Sequence, residues 1–223
     1  MATYVLIHGA GDVGWYWHLV EPELRARGHD VVAPDLPCED ESAGWTEYAD
    51  AVIDAVGDRT DLVVVAQSLG GFTAPIVCER VPVDLLVLVA AMVPMPGETG
   101  SEWWTNSGYQ EWVREHDREG VGDDEIAVFY QDVPSELAAE ALSRGRDQAE
   151  KPMREPWTLD AWPEVPTRCL LCREDRVFPA EFVRRMVRER LGITPDEIDG
   201  GHTPALSRPK VLADRLEAYR TAL

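Results

Sequence analysis

The sequence predicts an α/β protein: a mostly parallel, doubly wound sheet with a small helical cap inserted after one strand. Three observations predict it. Several short runs are apolar at every position, so both of their faces must be buried. Amphipathic helical segments separate these runs, as in crossovers between parallel strands. From residue 95 to 162 the alternation stops, and a strand-free stretch rich in aromatic side chains replaces it.

Taken in order, "TYVLIHG" (3–9) is a buried strand ended by glycine. "WHLVEPELRARG" (17–28) spaces Leu19, Val20, Leu24 and Ala26 near helical periodicity and stops at Gly28. "DVVAPDL" (30–36) is the next strand. "WTEYADAVIDAVG" (45–57) has acidic residues near its start, apolar Ala49, Val52, Ile53 and Val56, and a terminal glycine, the marks of a helix. "DLVVVA" (61–66) and "DLLVLVAA" (84–91) are strands buried on both faces, with a short helix "FTAPIVCERV" (72–81) between them. In the aromatic stretch, "SELAAEALSRG" (135–145) reads as a helix from a Ser135 cap to Gly145. The alternation resumes with strand "TRCLLC" (167–172), helix "AEFVRRMVRERLG" (180–192), a weak strand "DEI" (196–198) and a final helix over 209–223. Residues 1–94 and 163–223 are therefore the expected core, and 95–162 the expected cap insertion.

Bulk properties narrow the function. A chain of 223 residues with 45% hydrophobic content suits one globular domain with an insertion. A formal net charge of -20 repels phosphate backbones and anionic lipid. The expected partner is a small-molecule substrate, not nucleic acid or a membrane, with a bias against anions. No basic region precedes the short apolar run in "MATYVLIHGAG", and no apolar stretch approaches the length of a membrane span, so the expected location is the cytoplasm. Cys169 and Cys172 form a C-x-x-C, but three apart on a strand they point to opposite faces. With Cys38 and Cys78 they are expected to be buried thiols, not a redox pair or zinc site.

Four strand ends carry chemically useful groups, where open parallel sheets form their sites. They are His8-Gly9-Ala10-Gly11, Gln67-Ser68-Leu69-Gly70-Gly71, Arg173-Glu174-Asp175 and Gly200-Gly201-His202. At Ser68 the chain must leave a strand and enter a helix almost at once. A non-glycine residue in such a turn is strained and needs small neighbours, which Ala66, Gly70 and Gly71 supply. Ser68 as an ordinary helix cap would leave the paired glycines unexplained. A serine nucleophile needs a base and a carboxylate to orient it; His202 and Asp175 are the natural candidates. Glu174 beside Asp175, and Glu98 after the previous strand, are alternative acids, and Asp175 as a cap for the next helix stays open.

In that order and spacing, "HGAGDVGWYW", "AQSLGG", "CREDRVFP" and "GGHTPALSRP" resemble the α/β-hydrolase superfamily over nearly the whole chain. The resemblance is strongest to its small, short-capped branch of plant methylesterases and hydroxynitrile lyases and their bacterial relatives. It implies the α/β-hydrolase fold, with Ser68 as nucleophile, His202 as base and Asp175 as acid. It also implies an oxyanion hole from the backbone N–H groups of Ala10 and Leu69, with Gly9 letting the chain approach the substrate oxygen. His8, Gly9, Trp15 and Trp103 are the expected pocket residues; His8 is expected to hold its loop through backbone hydrogen bonds. No metal or organic cofactor is implied.

Departures from the branch bear on the reaction. The resemblance implies that plant lyases carry a polar side chain where Gly9 stands, and that some add a lysine after the catalytic histidine. They also have an acidic residue before the serine. This chain has Gly9, Thr203 and neutral Gln67 at those places. The expected activity is hydrolysis of a small uncharged or aromatic carboxylic ester. A lyase or C–C bond hydrolase using the same site, and a slow or non-catalytic ligand-binding member of the fold, are the alternatives.

Overall fold

The computed structural model describes residues 1–116 and 124–223. Six parallel strands form one sheet in the order β2-β1-β3-β4-β5-β6. Along the chain the elements are β1 (Thr3–Ile7), a 3-10 turn (Gly14–Trp17), α1 (Glu21–Arg25), β2 (Asp30–Val32), α2 (Trp45–Val56), β3 (Leu62–Ser68), α3 (Gly70–Arg80) and β4 (Leu85–Ala91). Then come α4 (Gly100–Asn106), α5 (Tyr109–Glu115), α6 (Glu125–Phe129), α7 (Ser135–Arg144) and α8 (Lys151–Arg154). The sheet is completed by β5 (Thr167–Cys172) and β6 (Asp196–Ile198), with α9 (Ala180–Leu191) between them and α10 (Pro204–Ser207) and α11 (Pro209–Thr221) after them.

The doubly apolar runs bury both faces, as their composition requires. On one face lie Val5, Ile7, Val64, Ala66, Leu86, Leu88, Cys169 and Leu171, covered by Val52 of α2, Phe72 of α3 and Phe182 of α9. On the other lie Tyr4, Leu6, Val63, Val65, Val87, Val89, Leu170 and Cys172, covered by Leu24 of α1 and Leu212 and Leu216 of α11. Cys169 and Cys172 fall on opposite faces, as strand periodicity demands; all four cysteines are free thiols, but Cys78, unlike the other three, is only half-buried.

Two segments depart from the sequence reading for local reasons. The helix expected over 17–28 is divided: the 3-10 turn ends at Trp17 and α1 starts at Glu21, with Pro22 in its first turn. Proline has no N–H to give the preceding turn, so it begins a helix instead of continuing one. The strand expected over 30–36 stops at Val32, two residues before Pro34. In α7 the N-cap is Pro134, and Ser135 is the first helical residue without a capping bond.

Among the described residues, the stretch between β4 and β5 contributes helices α4 to α8 and no strand. The expected 95–162 insertion includes residues 117–123, which lie outside the described residues. Trp103, Tyr109, Trp112 and Trp157 of this stretch join the same hydrophobic cluster as the sheet, so it shares the core.

Candidate active site

Strand order dictates where a site can form. β1 is flanked by β2 and β3, so successive connections leave it in opposite directions and open a crevice at the carboxyl ends. Ser68, the last residue of β3, sits there. Its φ is 51°, in the left-handed region that costs a side-chain-bearing residue of order 1–3 kcal/mol. The surroundings hold it: the β3–β4 register shifts between Gln67 and Ser68, and Met92 N–H donates to the Ser68 carbonyl at 2.9 Å. Only a residue without a side chain fits behind it. A Cβ on Gly70 would lie 2.8 Å from the His8 carbonyl oxygen, and one on Gly71 would lie 1.9 Å from that of Met92.

Three loops converge on Ser68. His202 Nε2 lies 3.1 Å from Ser68 Oγ, and His202 Nδ1 lies 2.9 Å from Asp175 Oδ2. The Asp175 side chain divides its work. Oδ2 faces the imidazole, while Oδ1 accepts the N–H groups of Val177 at 2.8 Å and Phe178 at 2.9 Å. The helix-capping alternative is thus partly realised in the turn itself, since the N-cap of α9 is Pro179. Glu174 is occupied elsewhere: its carboxylate accepts the Gly200 N–H and its own N–H donates to the Gly200 carbonyl at 3.1 Å. Glu98 is buried in an ion pair with Arg190 at 2.9 Å, away from His202.

The His202 ring is gripped edge-on by Phe129 at 5.5 Å and Phe178 at 5.1 Å between centroids. Its backbone is fixed by Gln67 Nε2, which donates to the His202 carbonyl at 3.1 Å. Neighbouring residues reach the stretch between β4 and β5. Gly201 N–H donates to Asp132 Oδ2 at 3.0 Å, and Thr203 Oγ1 to the Phe129 carbonyl at 2.7 Å. Neither Gln67 nor Asp132 carries a sequence signal for this role, because the partners lie far away along the chain.

Facing Ser68 from β1 is the loop His8–Asp12. His8 is fully buried, and burial pushes its imidazole down to about 4, so it is neutral at physiological pH. Nδ1 lies 2.8 Å from the Gly9 carbonyl oxygen and Nε2 accepts the Leu36 N–H at 3.0 Å, which together fix Nδ1 as the protonated nitrogen. With both nitrogens spent, His8 holds its loop and lies beneath the cavity. The Gly9 carbonyl that His8 grips shares its peptide plane with the Ala10 N–H, which a trans peptide points the opposite way. Among the described residues no hydrogen bond takes up the N–H of Ala10 or Leu69. Leu69 also stands at the N-terminus of α3, where the helix dipole favours negative charge.

A cavity of about 620 Å³ opens over this constellation, within the range of small-molecule sites. Gly9, Ala10, Gln67, Ser68, His202 and Thr203 form its floor. Phe129, Tyr130 and Leu142 supply its apolar wall, and Asp12, Glu39, Glu125, Arg146, Asp147 and Gln148 its polar one. Of the expected pocket residues Gly9 lines it, and His8, Trp15 and Trp103 do not. Trp15 stacks on His18 at 4.0 Å under the Arg144 guanidinium, and Trp103 donates its indole N–H to the Val93 carbonyl and packs on Phe178 and Phe182. None of the five tryptophans between 95 and 162 faces the cavity; Trp157, for example, donates to the Phe72 carbonyl at 2.9 Å. These indoles fasten the stretch between β4 and β5 to the core.

Burial raises the Asp12 carboxyl from its ordinary 3.8 to about 6, although the Val13 N–H and Arg146 oppose the shift. A folded-state value above the unfolded one means that the folded protein holds its proton more tightly. Stability from this group is full below about pH 3.8 and is lost as pH rises through about 6. Asp12→Asn is therefore expected to raise the melting temperature at pH 8 while leaving it near wild type at pH 4. Equal shifts at both pH values in a melting series would contradict this.

Among the described residues no three His, Cys, Asp or Glu side chains are grouped to hold a metal ion, and no helix is long and apolar enough to cross a membrane. Residues 4–215 match the model of the Alpha/beta hydrolase family. The chain is 26% identical to Methylesterase 3 of Arabidopsis thaliana, over 93% of this chain and 92% of that protein. It is 25% identical to Alpha-hydroxynitrile lyase of the same plant, over 98% and 96%. Its fold superposes on the crystal structure of polyneuridine aldehyde esterase with a TM-score of 0.82 at 20% identity, covering 98% of this chain and 99% of that one.

Proposed function

This chain belongs to the alpha/beta hydrolase family, and on that premise we propose that it is a serine carboxylesterase acting on a small ester through Ser68, His202 and Asp175. The observation that carries the reading is the continuous line Ser68 Oγ–His202 Nε2 and His202 Nδ1–Asp175 Oδ2, at 3.1 and 2.9 Å, on a serine held at positive φ. Names of relatives that are esterases support the same reaction class.

Ser68 Oγ attacks the ester carbonyl carbon while His202 Nε2 takes the hydroxyl proton. Asp175 keeps the imidazole in the tautomer with its proton on Nδ1 and stabilises the imidazolium. The carbonyl oxygen becomes an oxyanion between the N–H groups of Ala10 and Leu69. His202 then protonates the departing alkoxide, leaving an acyl-Ser68 ester. Water deprotonated by His202 attacks that ester, and collapse returns Ser68 and a carboxylic acid. Residues 95–162 act as the cap, with Phe129, Tyr130 and Leu142 offering apolar contact to an uncharged substrate.

Cyanohydrin cleavage, the reaction that the name of one relative implies, fits less well. A side chain at position 9 would start 2.6 Å from Gln67 Oε1, and the Thr203 hydroxyl is committed to Phe129. A fluorophosphonate probe is expected to label the wild type on Ser68 and to leave Ser68→Ala unlabelled. Equal labelling of both, read by intact mass, would overturn the nucleophile assignment.

A further inference from the structure

The loop that carries the Ala10 N–H is anchored from two sides, and only one side belongs to the sheet. From beneath, His8 takes the Gly9 carbonyl at 2.8 Å. Beyond Gly9 the next firm core contact is Gly14 N–H on Asp35 at 2.7 Å; Cys38 Sγ lies a distant 3.9 Å from the Asp12 carbonyl. In between, three successive peptide groups are met by one short segment after α7. Gly11 N–H donates to Gln148 Oε1 at 3.2 Å, the Gly11 carbonyl accepts the Arg146 N–H at 2.7 Å, and the Asp12 carbonyl accepts Arg146 Nη2 at 3.3 Å. The fit is close: Gly11 has φ +60°, and a Cβ there would lie 2.6 Å from the Arg146 carbonyl oxygen. Gln148 is itself held, since Nε2 donates to Tyr48 Oη at 2.9 Å and the next residue's N–H donates to the Cys38 carbonyl at 2.7 Å.

We propose that Gln148, with the Arg146 backbone beside it, is a positioning residue that sets the Ala10 N–H for the oxyanion. The inference rests on the esterase reading above and adds that the insertion, not the sheet alone, completes the oxyanion hole. The physical reason is that the N–H of Ala10 lies in the Gly9–Ala10 peptide plane, whose far end, the Ala10 Cα, is placed by the plane that follows. His8 fixes the plane that contains it, and Gln148 fixes the next one through Gly11. Release of that second plane frees the Ala10 Cα to shift, so the Gly9 ψ and the Ala10 φ readjust and the donor swings from where the negative charge develops. Such a loss acts on the transition state and not on the bound ester, whose carbonyl oxygen is a weak acceptor.

Gln148→Met keeps the volume and removes the side chain's three hydrogen bonds, with the Gly11 N–H, Tyr48 Oη and the Ala149 carbonyl. With p-nitrophenyl butyrate it is expected to lower kcat about ten- to thirtyfold with KM changed less than about threefold, the pattern of an interaction made only in the transition state. Affinity for an aryl trifluoromethyl ketone, which adds to Ser68 as a tetrahedral oxyanion, is expected to fall by the same factor. The melting temperature separates this from unfolding, and a loss of kcat in a variant that melts near wild type supports the proposal. An unchanged kcat, or a rise in KM alone, overturns it. If Ser68→Ala is inactive while Gln148→Met keeps its kcat, this inference falls and the esterase reading stands. If Ser68→Ala stays active, the esterase reading falls, and this inference with it.

Discussion

Replacing His202 by alanine is expected to lower ester turnover at least about a thousandfold, because in the proposed mechanism it removes the base and so both proton transfers of each half-reaction. The size follows from the geometry. Among the described residues, His202 Nε2 is the imidazole nitrogen facing Ser68 Oγ, at 3.1 Å; the alternative imidazole, His8, has both nitrogens committed and is neutral. Neither Glu174 nor Glu98 can substitute, since each is paired elsewhere. The loss is expected in kcat, with the fold intact, because the loop is also held by Gln67 on the His202 carbonyl and by Asp132 on Gly201, contacts made to the backbone. Steady-state kinetics with p-nitrophenyl butyrate, alongside thermal melting, measure both. A rate within tenfold of wild type in a folded variant would remove His202 from the mechanism.

What the sequence reveals about this site depends on whether the signal is local. β3 and β4 are legible because burial on two faces leaves Leu62–Ala66 and Leu85–Ala91 without a polar position, and β5 because four successive residues, Cys169–Cys172, are buried. The Ser68 turn is legible because its strain demands small neighbours within three residues. Asp175 and His202 are legible as residue types at strand ends in the right order, although the choice among Asp175, Glu174 and Glu98 needs distances. The cavity walls are not legible. Tryptophan content between 95 and 162 suggests an aromatic pocket, yet burial of so large an apolar surface is worth more in fastening helices to the core, and the indoles go there. The walls come instead from Phe129, Tyr130 and Leu142 on one side and Asp12, Glu39 and the segment Arg146–Gln148 on the other, brought together by the chain's return over the sheet end. No periodicity marks a segment whose task is to meet a distant backbone.

The paired glycines after Ser68 lead to the largest stability effect. Gly71→Ala is expected to destabilise the protein by about 3 kcal/mol or more, the upper end of overpacking a closed interior. For a chain of this size that is a fall of about 6–12 °C in melting temperature. A Cβ at this position would stand 1.9 Å from the Met92 carbonyl oxygen and 3.0 Å from its carbon, both backbone atoms with no rotamer to yield. Relief by moving α3 outward is blocked at the same end. Gly70 already stands where a Cβ would be 2.8 Å from the His8 carbonyl oxygen, so the helix start is seated on β1 as well as β4. Relief by moving Met92 strains the bond from its N–H to the Ser68 carbonyl at 2.9 Å, one of the contacts that keeps Ser68 at φ 51°. The stability loss and the loss of nucleophile geometry are therefore coupled, and folded Gly71→Ala should also label more slowly with a fluorophosphonate. Gly145→Ala is the matched control. Its Cβ would come no nearer than 3.4 Å to any neighbour, an ordinary contact, so its melting temperature should stay within about 2 °C of wild type. Equal melting temperatures for the two variants would mean that α3 is free to shift at its first turn, and that the seating of the helix does not hold the serine in place.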